Sequence, residues 1–264
     1  IGKYFFRKTL VYHIHASHFN LFYEESIDNL KKRITFLINN CDQLIVLSEE
    51  WQKYFSSTFN PKRIGILENI VEKPRSFKKK NPSEKIKFLF LGRIGKRKGI
   101  FDLLESISLN KQTFEDKIKL IIGGDGEVKE MNELISEHKL FFVDYKGWIG
   151  SEKKENLLRN CDVLILPSYN EGLPISILEA MSYSMPIIST PVGGIPRVVE
   201  NNLNGLLVEP GNINQLKNAL LYYVKNPEKI LKHGVQSKKK VVPYYPENVF
   251  SNLESIYSEL LCKN

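Results

Sequence analysis

Short apolar runs rich in β-branched residues recur along this chain, and stretches of helical period lie between most of them. The candidate strands are Leu10–His15, Gln43–Leu47, Ile64–Glu68, Lys87–Leu91, Lys119–Ile122, Val163–Leu166, Pro186–Ser189 and Gly205–Val208. Helix-period segments include Asp28–Ile38, Ile100–Ser108, Lys129–His138 and Asn214–Val224. A strand apolar on both sides needs a sheet covered on both faces, and intervening helices make that sheet parallel. The expected class is therefore α/β, in the doubly wound arrangement.

The segment Lys73–Ser83 reads as a linker: it is basic, aperiodic and contains Pro74 and Pro82. It divides a first domain, residues 1–72, from a second, residues 73–242. A last helix is expected over Glu247–Leu261, within residues 243–264. The first domain shows about three strands, too few for a doubly wound sheet. On that count N-terminal strands are expected to be missing from this chain, which starts at Ile1 rather than Met. One internal echo joins the halves. Asn40-Cys41-Asp42-Gln43-Leu44-Ile45-Val46 aligns without gaps on Asn160-Cys161-Asp162-Val163-Leu164-Ile165-Leu166. Either the halves are related, or both have converged on one helix-to-strand turn.

With 264 residues, 42% hydrophobic and 26% charged, the chain can bury a large core. No apolar run reaches the ~18–20 residues of a membrane-spanning helix. Cys41, Cys161 and Cys262 lie far apart, without zinc-like spacing, and suit reduced thiols in a cytoplasmic protein. The net charge of +8 is unevenly spread, with eleven Lys or Arg and one acid, Glu84, between Lys73 and Lys98. Such a surface suits phosphate-bearing ligands or peripheral contact with an anionic membrane. Lys78-Lys79-Lys80 is read as a solvated linker. No nucleic-acid-binding motif accompanies the charge.

The chemistry concentrates where strands give way to helices. After Pro167 come Ser168-Tyr169-Asn170-Glu171-Gly172-Leu173-Pro174-Ile175-Ser176-Ile177-Leu178-Glu179-Ala180-Met181. Gly172 permits a tight turn and Pro174 fits a first helical turn. The new helix then points free N–H groups at the strand ends, an anion site suited to a diphosphate. Glu171 and Glu179 near such an anion need neutral partners, and sugar or ribose hydroxyls are suitable donors. In Phe88-Leu89-Phe90-Leu91-Gly92-Arg93-Ile94-Gly95-Lys96-Arg97-Lys98-Gly99, Arg93 and Lys98 can neutralise charge on a leaving diphosphate. Gly124-Asp125-Gly126 only superficially suggests a dinucleotide site, because Lys129 stands where a third glycine is needed. There is no Asp-x-Asp pair for a divalent cation, and neither a metal nor another cofactor is expected.

Five motifs then stand in register: Gly92-Arg93…Lys98-Gly99, Gly123-Gly124-Asp125-Gly126-Glu127, Gly147-Trp148-Ile149, Pro167-Ser168…Glu171-Gly172…Glu179-Ala180 and Gly193-Gly194-Ile195-Pro196. In order and spacing they resemble the retaining glycosyltransferases of family 4 over roughly residues 85–225. His13-Ile14-His15-Ala16-Ser17-His18-Phe19 and Val46-Leu47-Ser48-Glu49-Glu50-Trp51 extend the resemblance over nearly the whole chain. It implies a GT-B architecture, two Rossmann-like domains facing a cleft, with the first domain incomplete here. It implies that Arg93 and Lys98 hold the diphosphate, Glu179 the ribose, Glu171 the sugar hydroxyls, and the backbone near Trp148 and Ile149 the base. Gly92, Gly124, Gly172, Leu173 and Pro174 belong to the same substrate-binding set. His15, at a strand end, would face the sugar.

The reading is thus a retaining glycosyltransferase moving a sugar from a UDP- or GDP-linked donor to a hydroxyl of a glycan or lipid-linked acceptor. Polysaccharide or glycolipid biosynthesis is the expected setting. The rivals are another GT-B enzyme such as a nucleotide-sugar epimerase, and a non-catalytic nucleotide-sugar binding protein. His13 and His15 share one face of a strand, so a metal site there stays open beside a purely structural role. With a first domain short of strands, the 264 residues are expected to bind a nucleoside diphosphate but to transfer sugar poorly.

Overall fold

The structure is a computed structural model that describes residues 8–15, 19–75, 81–82 and 84–262. Ala16–His18 and the Lys78–Lys80 run lie outside the described residues. The chain divides into two units, one of Ile1–Ile70 with Tyr244–Asn264, the other of Val71–Pro243.

In the first unit, β1 (Val11–Ile14) leads through α1 (Phe19–Glu25) and α2 (Asp28–Asn40) to β2 (Gln43–Val46). Then α3 (Glu49–Thr58) leads to β3 (Ile64–Ile66). The sheet order is β1-β2-β3, all parallel, with Val11 opposite Gln43 and Leu44 opposite Ile64. Alternation along β2 explains why its run is wholly apolar. Leu44 and Val46 pack with Ile38, Phe55 and Phe59 on one side. Ile45 points to the other side, where Leu67 and Val249 of the C-terminal helix Pro246–Leu261 cover it. The Ser48 hydroxyl accepts from the Trp51 N–H at 3.3 Å, and Glu49 and Glu50 fill the acidic first turn, so α3 starts where the sequence caps it.

The second unit holds β4 (Ile86–Leu91), a 3₁₀ turn at Lys96–Lys98, α4 (Ile100–Ser108), α5 (Lys111–Phe114), β5 (Ile118–Gly123), α6 (Val128–Glu137) and β6 (Val143–Tyr145). It continues with α7 (Ser151–Asn160), β7 (Val163–Leu166), α8 (Ile175–Ser182), β8 (Ile187–Ser189), α9 (Ile195–Val198), β9 (Gly205–Leu207), α10 (Ile213–Lys225) and α11 (Glu228–Lys240). Its six-stranded sheet runs β6-β5-β4-β7-β8-β9, every pairing parallel. The chain steps outward from β4 to β6, then returns to place β7 beside β4 and steps the other way. Loops leaving β4 and β7 therefore part in opposite directions and open a crevice at their C-terminal ends, where open α/β sheets take ligands.

The strand β6 has no counterpart in the sequence reading. It is three residues long at the sheet edge, with Asp144 at its centre, so no apolar run marks it. The Asp144 Oδ2 lies 2.9 Å from both Lys119 and Lys146. Those two hydrogen-bonded ammonium groups hold its carboxyl below the usual range against the opposing effect of burial.

The internal echo has the same structure in both units. Cys41 and Cys161 are buried and end α2 and α7 in extended conformation. The next residue clamps the start of the adjacent strand twice. The Asp42 N–H donates to the Leu10 carbonyl while its carboxylate accepts from the Leu10 N–H at 3.0 Å. The Asp162 N–H and carboxylate engage Lys87 in the same way, both at 2.8 Å. A short acceptor at this position satisfies an N–H at the beginning of a parallel pairing, which is the physical reason for the repeated Asp.

Between α10 and α11 a buried Tyr223 Oη lies 2.9 Å from His233 Nδ1, and the two share a hydrogen bond. Burial, and then the like charge of Lys229, lowers the His233 pKa below its usual 6.5. As pH falls through 6.5 the unfolded chain binds the proton first, so stability drops until the lower folded value is passed. The melting temperature is expected to fall between pH 7.5 and 5.5, and His233→Gln to flatten that slope. Identical slopes in both proteins, measured by calorimetry, would remove His233 as the cause.

Candidate functional site

The loops at the β4/β7 switch point enclose a crevice of about 310 Å³ within the second unit. It is lined by Leu91, Gly92, Arg93, Gly123, Gly124, Asp125, Trp148, Ile149, Lys154, Ser176 and Glu179. Of the residues singled out in the sequence, Gly92, Arg93, Gly124, Trp148, Ile149 and Glu179 meet here. Arg93 is exposed just beyond β4. Trp148 is 75% exposed, leaving a broad aromatic face at the crevice on which a planar base could stack. Glu179 stands in the second turn of α8 and Ser176 in its first.

Backbone zipping fixes this loop cluster. The Ile94 N–H donates to the Asp125 carbonyl at 2.6 Å, and the Glu127 N–H returns to Ile94 at 3.0 Å. Gly124 has φ +151°, and a Cβ there would overlap the Gly92 carbonyl oxygen. Only glycine lets the β4 and β5 loops approach this closely. The N–H groups of Gly92 and Gly124 are already donated, to Gly123 and Gly147. These glycines therefore contribute close packing rather than free donors, while the first turn of α8 brings its N–H groups to the crevice beside Ser176.

Lys98, Glu171, Gly172, Leu173 and Pro174 stand outside the crevice lining. The Lys98 Nζ lies 2.5 Å from Glu171 Oε1, and Arg97 reaches the other oxygen at 3.6 Å. Both members of the short pair are largely buried, at 14% and 7% side-chain exposure. The Lys98 stem borders the crevice, its Cδ and Cε each 3.7 Å from where a Cβ on Gly92 would sit. Removing either partner leaves a buried uncompensated charge, which is strongly unfavourable. Arg97 also donates to the Asn170 carbonyl at 2.8 Å, and the Tyr169 N–H to the Arg97 carbonyl at 2.8 Å. The 3₁₀ turn and the Glu171 loop are thus one connected structure. The Gly194 N–H closes onto the Gly172 carbonyl at 2.6 Å, which ties the Gly193-Gly194 motif to the same loop. Leu173 is buried, and Pro174 stands at the N-cap of α8, one position before the first turn in which the sequence placed it.

His15 is exposed just past the C-terminal end of β1 in the first unit, its ring 4.0 Å from that of His13. Partial burial and the adjacent His15 lower the His13 pKa. Among the described residues no group of three or more His, Cys, Asp or Glu is placed to hold a metal ion. No described helix is long and apolar enough to cross a membrane.

Sequence reasoning did not single out Leu91, Gly123, Asp125, Lys154 or Ser176 as site residues. Asp125 and Gly123 lie inside a motif it recognised. Lys154 sits in Ser151-Glu152-Lys153-Lys154-Glu155, which reads as a solvated helix face.

The second unit is therefore a Rossmann-type binding unit with its crevice at the switch point. Residues 72–240 match the family of glycosyl transferases group 1, and the chain belongs to that family. The glycosyltransferase MJ1178 of Methanocaldococcus jannaschii is 30% identical over 173 residues, 65% of this chain and 48% of its own. The GPI3 subunit of phosphatidylinositol N-acetylglucosaminyltransferase from Saccharomyces cerevisiae is 28% identical over 202 residues, 72% of this chain and 44% of its own. The chain thus spans about half the length of these curated relatives. Among solved structures, Anabaena Alr3699/HepE in complex with UDP aligns at a TM-score of 0.80 and 20% identity, covering 98% of this chain and 74% of that one. That likeness shows the fold, the Rossmann-like α/β architecture of GT-B glycosyltransferases.

Proposed function

We propose that the chain carries the donor-binding part of a glycosyltransferase that takes a nucleoside diphosphate sugar and transfers its sugar, with retention, to an acceptor hydroxyl. The observation that carries the reading is one crevice at the switch point, lined by a cation, Arg93, a carboxylate, Glu179, and an exposed aromatic, Trp148. The base lies against Trp148 and Ile149, the ribose hydroxyls donate to Glu179, and the diphosphate meets Arg93 and the first turn of α8. Lys98, whose stem borders Gly92, and its partner Glu171 serve the far phosphate and the hydroxyls of the transferred sugar. Side-chain and backbone donors stabilise the leaving diphosphate in place of a metal ion. His15, exposed at the end of β1, is the first-unit residue to test for a part in transfer. A solved neighbour described as a complex with UDP makes uridine the first base to test. A relative described as an N-acetylglucosaminyltransferase acting on phosphatidylinositol keeps lipid-linked acceptors, beside glycans, as candidate partners at a membrane surface.

Calorimetric titration with UDP and GDP tests the reading. Glu179→Ala is expected to lose about 1.5–3 kcal/mol of nucleotide binding, the range for hydrogen bonds to a charged group. That corresponds to about 10- to 150-fold in affinity. Unchanged affinity in a folded variant would take Glu179 out of the site.

A further inference from the structure

Lys154 is a crevice residue to which the nucleotide reading gives no task. It projects from α7, and its ammonium donates to Glu179 Oε1 at 2.5 Å across from α8. The partners are 25 residues apart in sequence, and their side chains keep 35% and 18% exposure. The adjacent Lys153 is exposed.

Charge shows why this contact matters. The crevice is lined by two cations, Arg93 and Lys154, and two carboxylates, Asp125 and Glu179. A diphosphate entering it meets repulsion from any carboxylate whose charge is not locally offset. With Lys154 on Glu179, that carboxylate is neutralised at contact distance, and the lining as a whole carries no net charge. The contact also occupies one carboxylate oxygen. It fixes the orientation of the group and leaves Oε2 to accept from a neutral hydroxyl. Without Lys154 the lining would carry one net negative charge and a carboxylate without its anchor.

We propose that Lys154 is a positioning residue for nucleoside recognition, which holds the Glu179 carboxylate oriented and charge-compensated so that a diphosphate nucleotide is selected through its ribose hydroxyls. The inference rests on the nucleotide reading of the crevice. Its consequence is specific: loss of Lys154 weakens ribose recognition more than it weakens binding in general.

The experiment is calorimetric titration of the protein and of Lys154→Met, Glu179→Gln and the double variant. The titrants are UDP, GDP and their 2′-deoxy counterparts. The unsubstituted protein is expected to prefer one ribonucleotide over its 2′-deoxy form by about tenfold, the worth of one charge-assisted hydrogen bond. Lys154→Met is expected to lose roughly tenfold in ribonucleotide affinity and most of that preference, with a smaller loss for the 2′-deoxy form. In the Glu179→Gln background the same substitution is expected to leave the preference unchanged. Equal losses for both nucleotides would mean that Lys154 only supports the helix packing, and would overturn the proposal, as would unchanged affinity and preference. A further fall in preference in the Glu179→Gln background would also overturn it, by showing that Lys154 does not act through Glu179. Failure of the unsubstituted protein to bind either ribonucleotide would instead defeat the nucleotide reading itself.

Discussion

Replacing Arg93 by alanine is expected to lower sugar-transfer turnover by about 10²- to 10³-fold, the range seen when one preorganised donor to a developing anion is removed. Arg93 lines the crevice at the end of β4, and it is the crevice cation that Glu179 does not engage. Lys129→Ala serves as the control, since that side chain is 91% exposed on α6. Turnover in the control is expected to stay within about twofold, because one screened surface charge contributes little. On the proposed reading, in which side chains and α8 N–H groups take the place of a metal's charge, transfer is expected to continue in EDTA. A complete loss of turnover in EDTA that returns with added metal would reject this arrangement.

Gly99→Ala is expected to be strongly destabilising to the second unit. Gly99 has φ +71° between the 3₁₀ turn and α4, and an added Cβ would run into the Pro167 carbonyl oxygen. The left-handed conformation alone costs an alanine about 1–2 kcal/mol. Backbone cannot move aside as a side-chain tip can, so a total of roughly 2–4 kcal/mol is expected. For a unit of this size that is roughly 4–16 °C in melting temperature. Because Pro167 leads into the Glu171 loop, nucleotide affinity is expected to fall as well. A melting curve identical to that of the unsubstituted protein would show that the β4 and β7 ends can part to admit a methyl group.

Much of this architecture was legible in one dimension. Eight apolar runs became strands because a buried strand needs apolar residues on both faces, and short local runs such as Val163-Leu164-Ile165-Leu166 report that directly. The Cys-Asp echo announced a turn found in both units, whereas α3, capped by Ser48, was not among the helices read from the sequence. Arg93 and Glu179 could be singled out because each sits where a strand gives way to a helix, and Trp148 through the resemblance of Gly147-Trp148-Ile149 to a family motif. The edge strand β6 could not, since an edge needs no second apolar face and Asp144 interrupts the run. Lys154 could not either, since nothing in Lys153-Lys154 distinguishes the lysine that turns inward from the one that stays in water.

The sequence by itself determined most of the elements, the parallel α/β class and the stretches of chain that carry the chemistry, because periodicity and turn residues act over a few neighbouring positions. Only the tertiary structure decided which charges meet. Lys98 finds Glu171 from 73 residues away and Lys154 finds Glu179 from 25, across elements that the sheet order brings together. Coulombic interaction depends on distance and burial in space, and neither is written in the local pattern of a chain.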